Sequence, residues 1–399
     1  MTGVSLAATK RIVARLAACQ ALLLTNGITL IAVSGLAGHA LAPDPRLSTL
    51  PITAYVLGAA LATLPASFFM KGYGRRAGFV LGAMLGILGA AVATLALYLQ
   101  SFALLCVGTF VSGSYNAFGQ YYRFAAADVA SVDFRSRAIS LVLAGGIVGG
   151  ILGPEASKIT RGLLEPQFVA SYGALGLFAL IALIVVRGLA IPPLSAEESN
   201  GAARPLTAIM RQPAFIVAVL SATVGYAVMN LLMTATPLAM GICQHPFSDA
   251  AFVLQWHVIG MFAPSFFTGA LIRRMGVLTV LAAGTAMLFC CVAIALSGVS
   301  VPHFWAALVL LGAGWNFLYI GGTTLLTEVH TPAERAKTQG TNDLLVFVSM
   351  ALSSLASSIV LTPDGWNKLN YAALPLLLAV TIAIASLWLK QRAAAVAAG

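Results

Sequence analysis

Asn116, Gln120 and Arg123 stand at i, i+4 and i+7 inside the segment GSYNAFGQYYRFAAAD (113–128), so on a helix they share one face. Ser112 extends that stripe, while Phe118 and Phe124 fall off it. A guanidinium offers forked donors to planar oxygen acceptors, and two amides beside it add donors and acceptors. Such a set can hold an anionic or carbonyl-bearing solute. It can equally serve the fold, with Arg123 paired to Asp128 or to the loop network beyond. A second set is Glu155 with His257. A carboxylate and an imidazole exchange protons readily when their surroundings change, so this pair could carry a driving proton. A structural hydrogen bond or a latch is the alternative. Aromatic residues form a third set: Tyr115, Tyr122, Tyr226, Trp256, Trp315 and Tyr319. They suit either packing or a flat, partly polar molecule. Met229, Met233 and Met240 could add an adaptable apolar wall.

The elements that must position these side chains are membrane helices. Hydrophobic residues make up 60% of the 399-residue chain and charged residues only 9%, against roughly 25% charged in soluble domains. Mean hydropathy is +0.94. Long apolar stretches without period-2 alternation favour spanning helices over a barrel. The pattern predicts twelve spans, near 16–38, 49–70, 77–99, 102–127, 138–160, 168–190, 214–238, 249–272, 277–298, 303–327, 339–361 and 370–389. Each can cross a hydrocarbon core of ~30 Å. They divide into an N-terminal six-helix bundle (1–190), a linker (191–212) and a C-terminal six-helix bundle (213–399).

Basic residues set the orientation. One side collects Lys10, Arg11, Arg15, Lys71, Arg75, Arg76, Arg135, Arg137, Arg187, Arg204, Arg211, Arg273, Arg274, Arg335, Lys337, Lys390 and Arg392, while the other has Arg46, Lys158, Arg161 and Lys368. This bias places both termini in the cytoplasm of an inner (plasma) membrane protein. It also accounts for most of the net charge of +10, so a nucleic-acid surface is not expected. Residues 10–42 imitate a signal peptide, but the apolar run is too long and further spans follow. The five cysteines match no metal or disulfide pattern. GGIVGG (145–150) lacks the strand that a phosphate loop requires, so its small residues read as a close helix contact. Neither a cofactor nor a metal is expected. A membrane-embedded enzyme would need a nucleophile–base set or clustered ligands, and the five histidines are dispersed.

The two halves repeat. Set beside each other at a spacing of 200 residues, GSYNAF (113–118) and GWNFLY (314–319) match Asn116 with Asn316 and Tyr115 with Trp315. Asp128 matches Glu328, Arg135 matches Arg335, and Asn26 has a counterpart in Asn230. KGYGRRAG (71–78) and GALIRRMG (269–276) occupy equivalent places. With these motifs the chain resembles the major facilitator superfamily over nearly its whole length. Lys71 and Arg273 stand where that family's loop signature usually has aspartate, and GGIVGGILGP (145–154) resembles its antiporter motif.

The resemblance implies an all-α carrier of two pseudo-symmetric six-helix bundles, working by alternating access and acting as a single chain. Spans one, four, seven and ten would line a central cavity, bringing Asn26, Asn116, Asn230 and Asn316 to a hydrated pocket with Tyr115, Gln120, Arg123, Tyr226, Trp315 and Tyr319. Lys71, Arg75, Arg76, Asp128, Arg273, Arg274, Glu328 and Asp343 would form a cytoplasmic gate, with Lys71 against Asp343. A proton-driven exporter of a small aromatic or anionic compound is the first expectation, on the antiporter-like motif. Uptake of a vitamin-like nutrient, for example a flavin-like heterocycle, is the alternative.

Overall fold

In apolar surroundings every backbone N–H and C=O must be satisfied within the protein, and long helices do this locally. The computed structural model describes residues 6–44, 47–48, 50–191, 203–357 and 364–398, and its regular structure among them is helical. Residues 192–202, half of the linker expected at 191–212, lie outside the described residues.

The N-terminal helices are α1 (Leu6–Leu41), α2 (Leu50–Tyr73), α3 (Arg75–Tyr98), α4 (Phe102–Gly119), α5 (Tyr122–Val129), α6 (Val132–Ala144), α7 (Gly146–Thr160) and α8 (Val169–Arg187). After the short α9 (Leu206–Met210) come α10 (Pro213–Ile242), α11 (Phe247–Phe262), α12 (Ser265–Met275), α13 (Val277–Ser297), α14 (Val301–Leu326), α15 (Arg335–Ala356) and α16 (Gly365–Ala398). Three spans are broken into two helices each: α4 with α5, α6 with α7, and α11 with α12. Pro264 explains the third break, because it brings no N–H to the helical ladder. Eleven spans among the described residues are long and apolar enough to cross a membrane. The twelfth predicted span is α15, whose opening turns carry Arg335, Lys337, Gln339, Asn342 and Asp343.

The repeat is visible in the backbone. Gly74 (φ 85°, ψ 160°) joins α2 to α3, and Gly276 (φ 84°, ψ 154°) joins α12 to α13. Both are one-residue corners in a region that favours glycine. Each lies in the basic loop motif of its half, Gly74 just before Arg75 and Arg76 and Gly276 just after Arg273, Arg274 and Met275.

The chain forms two compact units. The first comprises Met1–Ser131, Leu141–Ala202 and Pro332–Phe347; the second comprises Val132–Ser140, Ala203–Thr331 and Val348–Gly399. In the first, α4 packs against α2 and α3, α8 against α3, and α1 against α7 and α8. Close approach here depends on small residues: a side chain at Gly113 of α4 would strike the Tyr55 carbonyl of α2. Gly145, which caps α7, and Gly149 and Gly153 within it do the same against α1, at Ala17, Leu24, Thr25 and Ile28. In the second unit α14 packs against α10, α11 and α13, and α16 against α10 and α13.

Candidate functional site

Charge is concentrated in the first unit, where α4 ends. The chain turns tightly at Gln120 and Tyr121, with the Tyr121 N–H donating to the Phe118 carbonyl at 3.2 Å. This turn starts α5 and brings Arg123 inward, where its side chain is 1% exposed. Arg123 Nη2 donates to Asp343 Oδ1 at 2.5 Å. Its Nη1 donates to the Gln120 carbonyl at 2.8 Å and to Gln120 Oε1 at 3.1 Å. Gln120 Nε2 in turn donates to Asn116 Oδ1 at 3.1 Å. On the far side Asn342 Nδ2 donates to Asp343 Oδ1 at 2.8 Å. A continuous chain of polar contacts therefore runs from half-buried Asn116 and Gln120 to buried Asp343. The guanidinium also lies over the Phe124 ring, 4.5 Å from its centre, which favours a cation in dry surroundings.

Asp343 thus pairs with Arg123 rather than with the expected Lys71, which is exposed. The physical reason is reach into a dry site: a planar, weakly hydrated guanidinium tolerates burial better than an ammonium. Beside this pair, Asp128 Oδ2 accepts from Arg75 Nε at 3.1 Å and lies 3.0 Å from Arg335 Nη1. Arg75 Nη2 donates to Gln339 Oε1 at 2.6 Å. The repeat partners cross over. Asp128 of the first half meets Arg335 of the second, and in the second unit Glu328 lies within electrostatic reach of Arg135. Arg76, Arg273 and Arg274 are exposed.

The second unit gathers aromatic rings. Trp315 and Tyr319, one turn apart on α14, stack at 5.2 Å and 19°. Tyr226 of α10 stands edge-on to both, at 5.1 and 4.8 Å. Phe262 of α11 closes on Trp315 at 5.8 Å. The Trp315 indole N–H is buried and meets no acceptor among the described residues. Edge-to-face and offset stacks are the favoured aromatic geometries, so the cluster holds its shape, with Trp315, Tyr319 and Phe262 buried.

The structure places the other expected residues elsewhere. Asn26 donates to the Leu175 carbonyl at 2.8 Å, joining α1 to α8. Asn230 donates to the Met350 carbonyl at 3.1 Å and to Ser353 Oγ at 3.0 Å. Asn316 makes three hydrogen bonds at the α11–α12 break: it donates to the Met261 carbonyl at 2.7 Å and Ser265 Oγ at 2.6 Å, and accepts from Thr268 Oγ1 at 2.8 Å. These three amides fasten helices together, as buried amides do in lipid. Tyr115 is packed in the core against Gly86. Glu155 is exposed and paired with Lys158 at 2.7 Å. His257 is wholly buried, and its Nδ1 lies 2.8 Å from the Leu308 carbonyl, which sets Nδ1 as the protonated nitrogen.

Sequence reasoning passed over Gln339, Asn342 and Phe262. Gln339, Asn342 and Asp343 do share a face at i, i+3 and i+4 of an apolar span, and that spacing was the available signal. Phe262 carries no comparable signal.

Comparison with known proteins agrees with this architecture. The family model of the Major Facilitator Superfamily matches residues 16–315. The chain is 40% identical over 391 residues to the riboflavin transporter RfnT of Brucella anthropi, covering 97% of this chain and 98% of that protein. It is 30% identical over 369 residues to YddS of Bacillus subtilis, an uncharacterized MFS-type transporter, covering 87% and 84%. The human organic anion transporter MFSD10 superposes with a TM-score of 0.74 at 15% identity, over 94% of this chain and 99% of that one. A duplicated bundle of membrane helices with repeated glycine corners, matched by this family across most of its length, is a multi-pass transporter and not an enzyme: the chain belongs to the major facilitator superfamily.

Proposed function

We propose that this protein carries riboflavin, or a closely similar heteroaromatic vitamin, into the cell by alternating access. The observation that carries the reading is the 40% identity with a named riboflavin transporter along 97% of the chain. The aromatic cluster supports it. Trp315, Tyr319, Tyr226 and Phe262 offer a flat tricyclic ring both stacking and edge contacts, and the buried Trp315 N–H is a donor for a ring carbonyl. The antiporter-like glycines favour neither direction, since their contacts with α1 are packing contacts. Uptake against a gradient requires an energy source, and this reading assigns it to protons entering with the vitamin across the inner membrane, with both termini cytoplasmic.

The test is uptake of radiolabelled riboflavin by a bacterial riboflavin auxotroph that lacks its own uptake system. Expression should raise uptake well above the empty-vector control, and excess unlabelled riboflavin should compete. No uptake, together with accelerated loss of riboflavin from preloaded cells, would overturn the inward reading. No effect in either direction would overturn the substrate.

A further inference from the structure

A carrier driven by protons needs a group that binds one inside the protein. Glu155, the acid that the sequence pairs with His257, is exposed and paired with Lys158. Asp343 is different. Its side chain is 3% exposed, and it lies in the opening turns of a span. An ionisable side chain in such surroundings marks a functional site by default, with its partner to be named. Here the partner is Arg123.

The two carboxylate oxygens are used unequally. Oδ1 accepts from both Arg123 Nη2 and Asn342 Nδ2. Oδ2 is buried and has no hydrogen-bond partner among the described residues. One oxygen thus holds the ion pair while the other is open to a proton. The guanidinium, for its part, is already bonded on Nη1 to the carbonyl and the side chain of Gln120. It keeps acceptors if Asp343 becomes neutral.

We propose that Asp343 binds the driving proton at Oδ2, and that the Arg123–Asp343 pair couples that proton to the transport cycle; this rests on the proton-driven reading above. The step is simple to balance. The carboxylate gains one proton and becomes a neutral acid, Arg123 keeps all its protons, and the site gains one positive charge. The intact ion pair opposes protonation, and a bound proton weakens the pair. By linkage, proton binding and parting of Arg123 from Asp343 favour each other. Other groups facing the carboxylate are Arg75 of α3 and the Tyr121 phenol, while α2 brings Leu64 and Ser67 against Gly340 of the same turn. Arg75 is engaged with Asp128 and Gln339, which leaves Arg123 as the close counter-ion. Gln120 bonds both Arg123 and Asn116, so a solute that draws on the Gln120 amide would loosen the grip on Arg123 from the other end.

The experiment uses the reconstituted full-length protein as wild type, Asp343→Asn and Arg123→Lys. An infrared titration with pH reads the carbonyl stretch of a protonated carboxyl directly and needs no substrate. Wild type should show a titrating band that Asp343→Asn lacks and that Arg123→Lys moves to a different pH. In parallel, riboflavin accumulation is compared with and without an imposed inward proton gradient. The ratio should be about tenfold or more for wild type and about one for Asp343→Asn. Identical infrared titrations for wild type and Asp343→Asn, or a full gradient response in that variant, would overturn the proposal. If Asp343→Asn does not fold, an unmoved band in Arg123→Lys overturns it and a shifted band supports it. Wild-type protein that moves no riboflavin but shows the Asp343 band would refute the substrate and leave the proton site standing.

Discussion

Asn316 offers a sharp test of whether the buried amides serve the fold or the solute. It is fully buried and makes three hydrogen bonds, to the Met261 carbonyl, Ser265 Oγ and Thr268 Oγ1. Side-chain hydrogen bonds between membrane helices contribute on average about 0.6 kcal/mol each, so Asn316→Ala should cost about 2 kcal/mol. The loss falls on one place, the α11–α12 break before Ser265, where Pro264 has already removed a backbone donor. Equilibrium unfolding in mixed detergent–SDS micelles reads this cost as a shifted midpoint. Thr268→Val removes one of the same bonds, so the double variant should show a coupling of about 0.6 kcal/mol. An unchanged midpoint in Asn316→Ala, with additive effects in the cycle and abolished riboflavin binding, would refute the structural role and return Asn316 to the solute.

Other outcomes can be checked with the same preparation. Trp315→Ala should weaken riboflavin binding, measured by quenching of flavin fluorescence, by about 2- to 10-fold, the worth of one aromatic stack of about 0.5–1.5 kcal/mol. Trp315→Phe keeps the stack and loses the donor, so it should fall between the two; binding unaffected by either would count against the aromatic wall. Gly276→Ala should lower thermal stability by about 1 kcal/mol through its positive φ alone, because a Cβ there meets nothing within 4 Å. Glu155→Gln should leave gradient-driven uptake at its wild-type level, since the exposed Glu155–Lys158 pair is screened by solvent; a lost gradient response would restore Glu155 to the proton path.

Much of the architecture was legible in the residues themselves. Apolar runs long enough to span, the spacing of GSYNAF and GWNFLY, and a glycine in each basic loop motif all report local geometry, and Gly74 and Gly276 adopt nearly the same backbone angles. Partners across helices were less legible. Helical spacing says which residues share a face, but it does not say how the neighbouring helix is rotated. The sequence suggested Lys71 for Asp343 and Asp128 for Arg123, whereas the tight turn at Gln120 brings Arg123 to Asp343. The same limit applied to the asparagines. Their types and depths suited a pocket, yet the carbonyls of Leu175, Met350 and Met261 lay within reach of Asn26, Asn230 and Asn316. A backbone carbonyl partner leaves no trace in side-chain pattern. The aromatic residues stood out by type on the same spans, but that did not reveal that Tyr226, Trp315 and Tyr319 pack on one another.

The most direct test is counterflow in proteoliposomes. Vesicles holding the purified protein and unlabelled riboflavin are diluted into trace radiolabelled riboflavin, with no gradient imposed. The label should accumulate transiently inside, and Trp315→Ala should blunt the overshoot. Label that stays at the level of protein-free vesicles, at every riboflavin concentration loaded, would contradict the flavin carrier.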